Sequence, residues 1–186
     1  HSPYTEIPVM LDDVVALSRD RVKMDEKTVL RYANRKPAKH AAEMALVERS
    51  MPDLPAGARV LDAPCGAGRL SLWMAQQGWD VSAMDLGSAA ADFTRKLLTD
   101  NALSGEVDVG DVFAMPWERR EFKLVVCFRL IHHFPDAQIR EKLLTELARV
   151  ADQHLLVSYL SPWSYTGLKR WLRYRLTVRR SRQIHT

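Results

Sequence analysis

Only two cysteines occur, Cys65 and Cys127, and their spacing is neither a CxxC nor a metal-ligand pattern. This excludes a disulfide framework as the basis of the fold and leads us to expect reduced thiols in a cytoplasmic protein. No apolar run reaches the roughly 18 residues of a membrane span, so a transmembrane helix is not expected. No secretory signal is visible, and the opening His1-Ser2-Pro3 is set aside from fold reasoning. Clusters of His, Cys and acidic residues at ligand spacing are also missing, and no metal site is expected. With 47% apolar and 27% charged residues, the chain has an ordinary globular composition, which excludes general disorder. Its 186 residues suit one domain with a sizeable core. The last absence is local: no acid follows Asp152. Lys169, Arg170, Arg173, Arg175, Arg179, Arg180 and Arg182 give that tail +7, so the net +4 hides a balance of −3 over the rest.

Around residues 59–70 the chain shows its organising feature. Val60 and Leu61 read as a buried strand. Gly66 and Gly68 bracket a small-residue turn, and Leu70, Leu72, Trp73 and Met74 open an apolar helical run. A strand feeding a helix through glycines directs backbone N–H groups at a ligand. The surrounding order fits. Pro37 opens a helix to about Ser50, with Ala41, Met44, Ala45 and Val47 as its expected buried side. The proline- and glycine-rich 51–57 is a loop. Strands are expected at 59–63, 80–84, 107–109, 122–128 and 154–160, and helices at 67–78, 88–103 and 136–150. The last helix carries Ile139, Leu143, Leu144, Leu147 and Val150 on one side. Near-continuous apolar strands separated by helices predict an α/β fold, a doubly wound, mostly parallel sheet with helices on both faces.

Asp85 ends the second strand, 23 residues after Asp62. A carboxylate there accepts hydrogen bonds from ribose hydroxyls; capping the following helix is the alternative. His132 and His133 follow the fourth strand, on the side where open α/β sheets bind ligands. Either imidazole is a candidate general base, and packing against the sheet or cofactor is the alternative.

The run Asp62-Ala63-Pro64-Cys65-Gly66-Ala67-Gly68-Arg69 resembles the first motif of class I S-adenosylmethionine (SAM) dependent methyltransferases, with Pro64 in place of the first glycine. The resemblance implies the Rossmann-like methyltransferase fold, SAM as cofactor and methyl transfer as the reaction. It also implies that Asp111 accepts from the adenine amino group while the Val112 N–H donates to the ring. The expected cofactor-binding set is Asp62, Ala63, Pro64, Cys65, Gly66, Gly68, Asp85, Leu86, Asp111, Val112, Phe128 and Arg129. Arg35, with Arg31 and Tyr32 nearby, is expected at the cofactor carboxylate. That fold also implies a C-terminal strand pair, for which no pattern follows Leu160. With Arg35, His40 and Glu43 ahead of it, the motif further resembles bacterial methyltransferases fused to a lipopolysaccharide-kinase-like domain, which leads us to expect a following domain in a larger parent.

Three regions are therefore expected: a cap or lid over 1–36, a SAM-binding core over 37–161, and a basic amphipathic segment over 162–186. In the last, Tyr165, Leu168, Leu172 and Leu176 make a helical stripe. It is a lid helix, or a surface for an anionic membrane, a phosphate-rich glycolipid or nucleic acid, with nucleic acid ranked lower. A small-molecule or glycolipid acceptor is expected, and so is a place in the cytoplasm or peripherally at the inner membrane. Two other functions fit the same turn: a non-catalytic SAM-binding regulatory or interaction domain, and an NAD(P)-binding oxidoreductase whose third glycine position falls on Ser71.

Overall fold

The computed structural model describes Val29 and residues 37–159. The regions expected at 1–36 and 162–186, Arg35 included, therefore lie outside the described residues apart from Val29. Helix α1 spans Pro37–Ser50, β1 Arg59–Asp62, α2 Arg69–Gln76 and β2 Asp80–Asp85. Helix α3 (Ser88–Asp100), β3 (Glu106–Val109) and β4 (Phe122–Cys127) follow. A short 3-10 turn at Ile131–His133, α4 (Ala137–Val150) and β5 (Ala151–Val157) complete the order.

All five strands run parallel in the order β3-β2-β1-β4-β5. The alternation of side chains along each strand divides the core in two. Leu61, Val125 and Cys127 face α4, where Ile139, Leu143, Leu147 and Val150 are buried. Val60, Val81, Ala83, Leu124 and Val126 face the other way, onto Leu70, Met74 and Ala75 of α2, Ala91 and Leu98 of α3, and Val47 of α1. Burial on both faces explains why β1, β2 and β4 read as apolar runs rather than alternating ones. The chain leaves β1 towards β2 and β3, then returns past it to β4. The gap between β1 and β4 is thus the point where the winding reverses, and ligands bind outside the carboxyl ends of strands there.

Several expected boundaries move. Helix α2 begins at Arg69 because Gly68 is left-handed, φ 68°. Strand β5 starts at Ala151 rather than 154, directly from α4, because Ala151 already pairs with Phe122 on β4, across an irregularity in the register; beside it Asp152 accepts from Arg120 Nε at 2.9 Å and Lys123 Nζ at 2.6 Å. On α1, Ala41 and Ala45 are exposed and Val47 alone is buried among the described side chains, since only a narrow stripe of this helix meets the sheet. Leu144 lies at the margin of the α4 face and is exposed. Among the described residues β5 is a sheet edge, and no helix is long and apolar enough to cross a membrane.

Candidate functional site

The turn after β1 is built by its own backbone. Ala63 N–H donates to Val126 O, Cys65 N–H to Met84 O and Gly68 N–H to Cys65 O. Gly66 N–H donates to Asp85 Oδ2 at 2.9 Å. This corrects the expectation that the glycine amides point at a ligand: those of Gly66 and Gly68 hold the turn together. Gly68 has a second reason to be glycine. A Cβ there would stand 2.7 Å from Thr94 Oγ1 and 3.0 Å from Thr94 Cα. Thr94, fully buried on α3, donates to Gly66 O at 3.3 Å and meets Cys65 Sγ at 3.5 Å. Pro64 enters through a cis peptide bond from Ala63.

Three acids stand at successive strand ends. Asp62 is almost wholly buried and accepts from Ser71 Oγ at 2.6 Å. Burial raises its carboxyl to about 7 against the lowering effect of Ser71, with Asp85 adding a further upward push. Asp85 accepts from Gly66 N–H and, through Oδ1, from Gly87 N–H at 2.9 Å. Burial lifts its carboxyl too, opposed by those amides. It thus braces both the glycine turn and the entrance to α3, while Gly87 is the cap. Asp111 accepts from Phe113 N–H at 3.0 Å, the local turn of a loop aspartate. The rest of that loop is pinned to α4: Arg149 donates to Met115 O and Trp117 O, and Glu146 accepts from Met115 N–H.

One cleft gathers Asp62, Pro64, Cys65, Gly66, Asp85, Leu86, Asp111, Val112, Phe128, Arg129 and His133. Of the residues expected there, Ala63, Gly68 and His132 do not line it. The two histidines separate. His133 lines the cleft, and burial followed by the Arg129 cation holds it below the usual imidazole range. His132 packs behind it, ring centroids 4.2 Å apart. Asp136 caps α4 by accepting from Gln138 N–H and Ile139 N–H, and Arg140 donates to Phe134 O and Pro135 O, which fixes the histidine turn against the helix. Burial pushes both thiols up, Cys127 to about 12, so neither is a nucleophile.

Sequence reasoning left out Met44, Arg69, Phe113, Leu130 and Phe134 from the lining. It also gave Ser71 and Thr94 no role in the site. Ser71 had a signal, a small polar residue where a dinucleotide site wants glycine. Glu43 entered only through the resemblance to fused methyltransferases, with no sign of its partner: its ion pair to Arg129 spans 86 residues. Val29 is buried against Ala67, Ala89, Ala90 and Phe93, beside the glycine turn.

The model of a methyltransferase domain family matches residues 60–154, just over half of the chain. The chain belongs to that family. The methyltransferase-domain chain is 38% identical over 84 residues to the ubiquinone biosynthesis O-methyltransferase of Stutzerimonas stutzeri, covering 44% of this chain and 35% of that one. It is 27% identical over 155 residues to the chloroplastic magnesium protoporphyrin IX methyltransferase of Arabidopsis thaliana, covering 81% and 47%. It spans less than half the length of these relatives. A solved SAM-dependent methyltransferase from Aquifex aeolicus superposes with TM-score 0.58 over 72% of this chain and 71% of that one, at 20% identity; this likeness shows the fold. The fold is the Rossmann-like one of class I methyltransferases, and the cofactor this family implies is SAM. The cleft fits it. Leu86, Val112 and Phe113 offer apolar walls to a base, and Asp85 and Asp111 offer acceptors. Buried Asp62, which no cation among the described residues lowers, suits a ligand that brings positive charge.

Proposed function

We propose that this chain transfers a methyl group from SAM to an acceptor entering beside Arg129, His133 and Phe134. The observation that supports it most is the convergence of Asp62, Asp85 and Asp111 on one cleft at the point where the sheet reverses its winding, in a chain of the methyltransferase-domain family. In this reading Asp85 takes the ribose hydroxyls, the Asp111–Val112 loop takes the base, and Asp62 faces the amino-acid end. When bound, SAM supplies a methyl already activated for displacement. The chain's own tasks are placement and proton removal. His133, held neutral near pH 7, takes the acceptor proton on an imidazole nitrogen. Phe128, Leu130 and Phe134 keep that end of the cleft dry.

We place the acceptor among small molecules or anionic glycolipids, lipopolysaccharide-related ones included, with the +7 segment after residue 161 meeting an anionic membrane surface from the cytoplasmic side. The names of the relatives span ubiquinone biosynthesis and magnesium protoporphyrin IX and fix no acceptor for this chain.

The test is a thermal-shift series with S-adenosylhomocysteine, NAD⁺ and NADP⁺. A ligand at about 100 times its Kd adds about 2.7 kcal/mol of stability. S-adenosylhomocysteine raises Tm, Asp85→Ala removes the shift, and neither nicotinamide acts. A shift with NAD(P)⁺ alone points to the oxidoreductase. S-adenosylhomocysteine binding with no methyl transfer across a broad acceptor panel points to the non-catalytic module.

A further inference from the structure

Arg129 stands at a junction. Its φ is 63°, a left-handed conformation uncommon outside glycine. Its N–H donates to Ser158 Oγ at 2.6 Å, just beyond β5. Its Nη1 reaches both carboxylate oxygens of Glu43, at 3.0 and 3.2 Å. The two side chains are 25% and 22% exposed, and both residues line the cleft. The ion pair thus ties α1 across the rim to the end of β4. That tie matters because α1 is thinly held: Val47 is its one buried side chain among those described, with Met44 partly buried.

The strand order says which end of a bound donor meets Arg129. Asp85 ends β2, Arg129 follows β4, and β1 lies between them. A donor with its ribose at Asp85 therefore runs its amino-acid end over β1 towards β4. That end carries a carboxylate, the group a guanidinium grips best. Glu43 offers the same group. That cation then faces two chemically equal carboxylates, one built in among the described residues and one brought by the ligand.

We propose that Arg129 exchanges carboxylates: it holds Glu43 in the ligand-free protein and the donor's amino-acid carboxylate in the complex, so that donor entry unlatches α1 from the rim of the cleft. This rests on the donor reading above and offers Arg129 where sequence alone suggested Arg35. Glu43 is a positioning residue that competes with the ligand. Exchange of like for like keeps the latch near balance, and release of α1 opens the wall at Met44 next to the acceptor end.

The test is calorimetric titration of the full chain with two probes. S-adenosylhomocysteine has the amino-acid arm, and 5′-methylthioadenosine lacks it. Arg129→Asn, chosen because Asn tolerates positive φ, weakens S-adenosylhomocysteine by about tenfold or more and leaves 5′-methylthioadenosine unchanged, which also shows that the variant is folded. Glu43→Gln removes the competitor and tightens S-adenosylhomocysteine several-fold, again without effect on 5′-methylthioadenosine. Amide exchange over residues 41–50 speeds up with S-adenosylhomocysteine and not with 5′-methylthioadenosine. The proposal is overturned if Glu43→Gln leaves S-adenosylhomocysteine unchanged or weakens it. It is equally overturned if Arg129→Asn moves both probes alike, or if exchange in α1 slows. Wild-type protein that binds neither probe removes the donor reading itself, and the exchange with it; binding of 5′-methylthioadenosine alone keeps the nucleoside site and overturns only the exchange.

Discussion

Asp62→Asn should make the protein more stable and less able to bind its donor. Asp62 is almost wholly buried beside another acid, and its carboxyl is raised from 3.8 to about 7. A raised folded-state value means the native state holds a proton that the unfolded chain gives up. The associated stability is complete below about pH 4 and is lost as pH rises through about 7. Each pH unit in that window costs about 1.4 kcal/mol, so ionised Asp62 costs on the order of 4 kcal/mol above neutrality. Asparagine keeps the shape and an oxygen for Ser71 Oγ, without the charge. Unfolding by urea across about pH 5 to 8 should show the variant gaining on the wild type by roughly 1.4 kcal/mol per unit up to about pH 7, then levelling off. At 186 residues a gain of this order raises Tm by roughly 8–16 °C. Affinity for S-adenosylhomocysteine should fall, since the buried negative charge that meets the donor's cationic end is gone. An Asp62→Asn protein less stable than wild type at pH 8 would refute the reasoning, because it would mean that the carboxylate already has a cationic partner in the free protein.

Gly68→Ala should cost about 2–4 kcal/mol, combining a left-handed backbone with contact against Thr94 Cα, read as a lower urea midpoint at unchanged slope. His133→Ala should lower kcat by about 10²-fold or more with donor affinity kept, whereas His132→Ala, behind the cleft wall, should affect stability before rate. Leu147→Ala, fully buried between α4 and the sheet, should cost about 2–5 kcal/mol in denaturant unfolding without changing relative affinity for the donor. Asp152→Asn should weaken the start of β5 only slightly, because its ion pairs with Arg120 and Lys123 involve well-exposed cations.

Much of the frame is legible in the sequence because it rests on local signals. Strands buried on both faces write themselves as apolar runs, as Leu124–Cys127 does, and the α4 face follows from residues spaced three and four apart. The three strand-end acids are legible because a parallel sheet places every carboxyl end on one side. Long-range partnership is not legible. Nothing near Glu43 announces Arg129, and nothing near Gly66 says that its amide serves Asp85 rather than a ligand. Ala41 and Ala45 mislead because α1 buries so narrow a stripe that small residues on either side satisfy the pattern equally. The start of β5 is hidden because Asp152 and Gln153 look like loop, whereas pairing with β4 from Ala151 onward holds them in extended backbone. His132 and His133 are adjacent in sequence, and only the 3-10 turn decides which one meets the cleft.

A crystal structure of the full chain grown with S-adenosylhomocysteine tests the central claim most directly. Density for the ribose against Asp85, the base beside Asp111 and Val112, and the amino-acid arm over Gly66 towards Arg129 is the predicted result. A nucleoside bound elsewhere, or an empty cleft at saturating ligand, would contradict it.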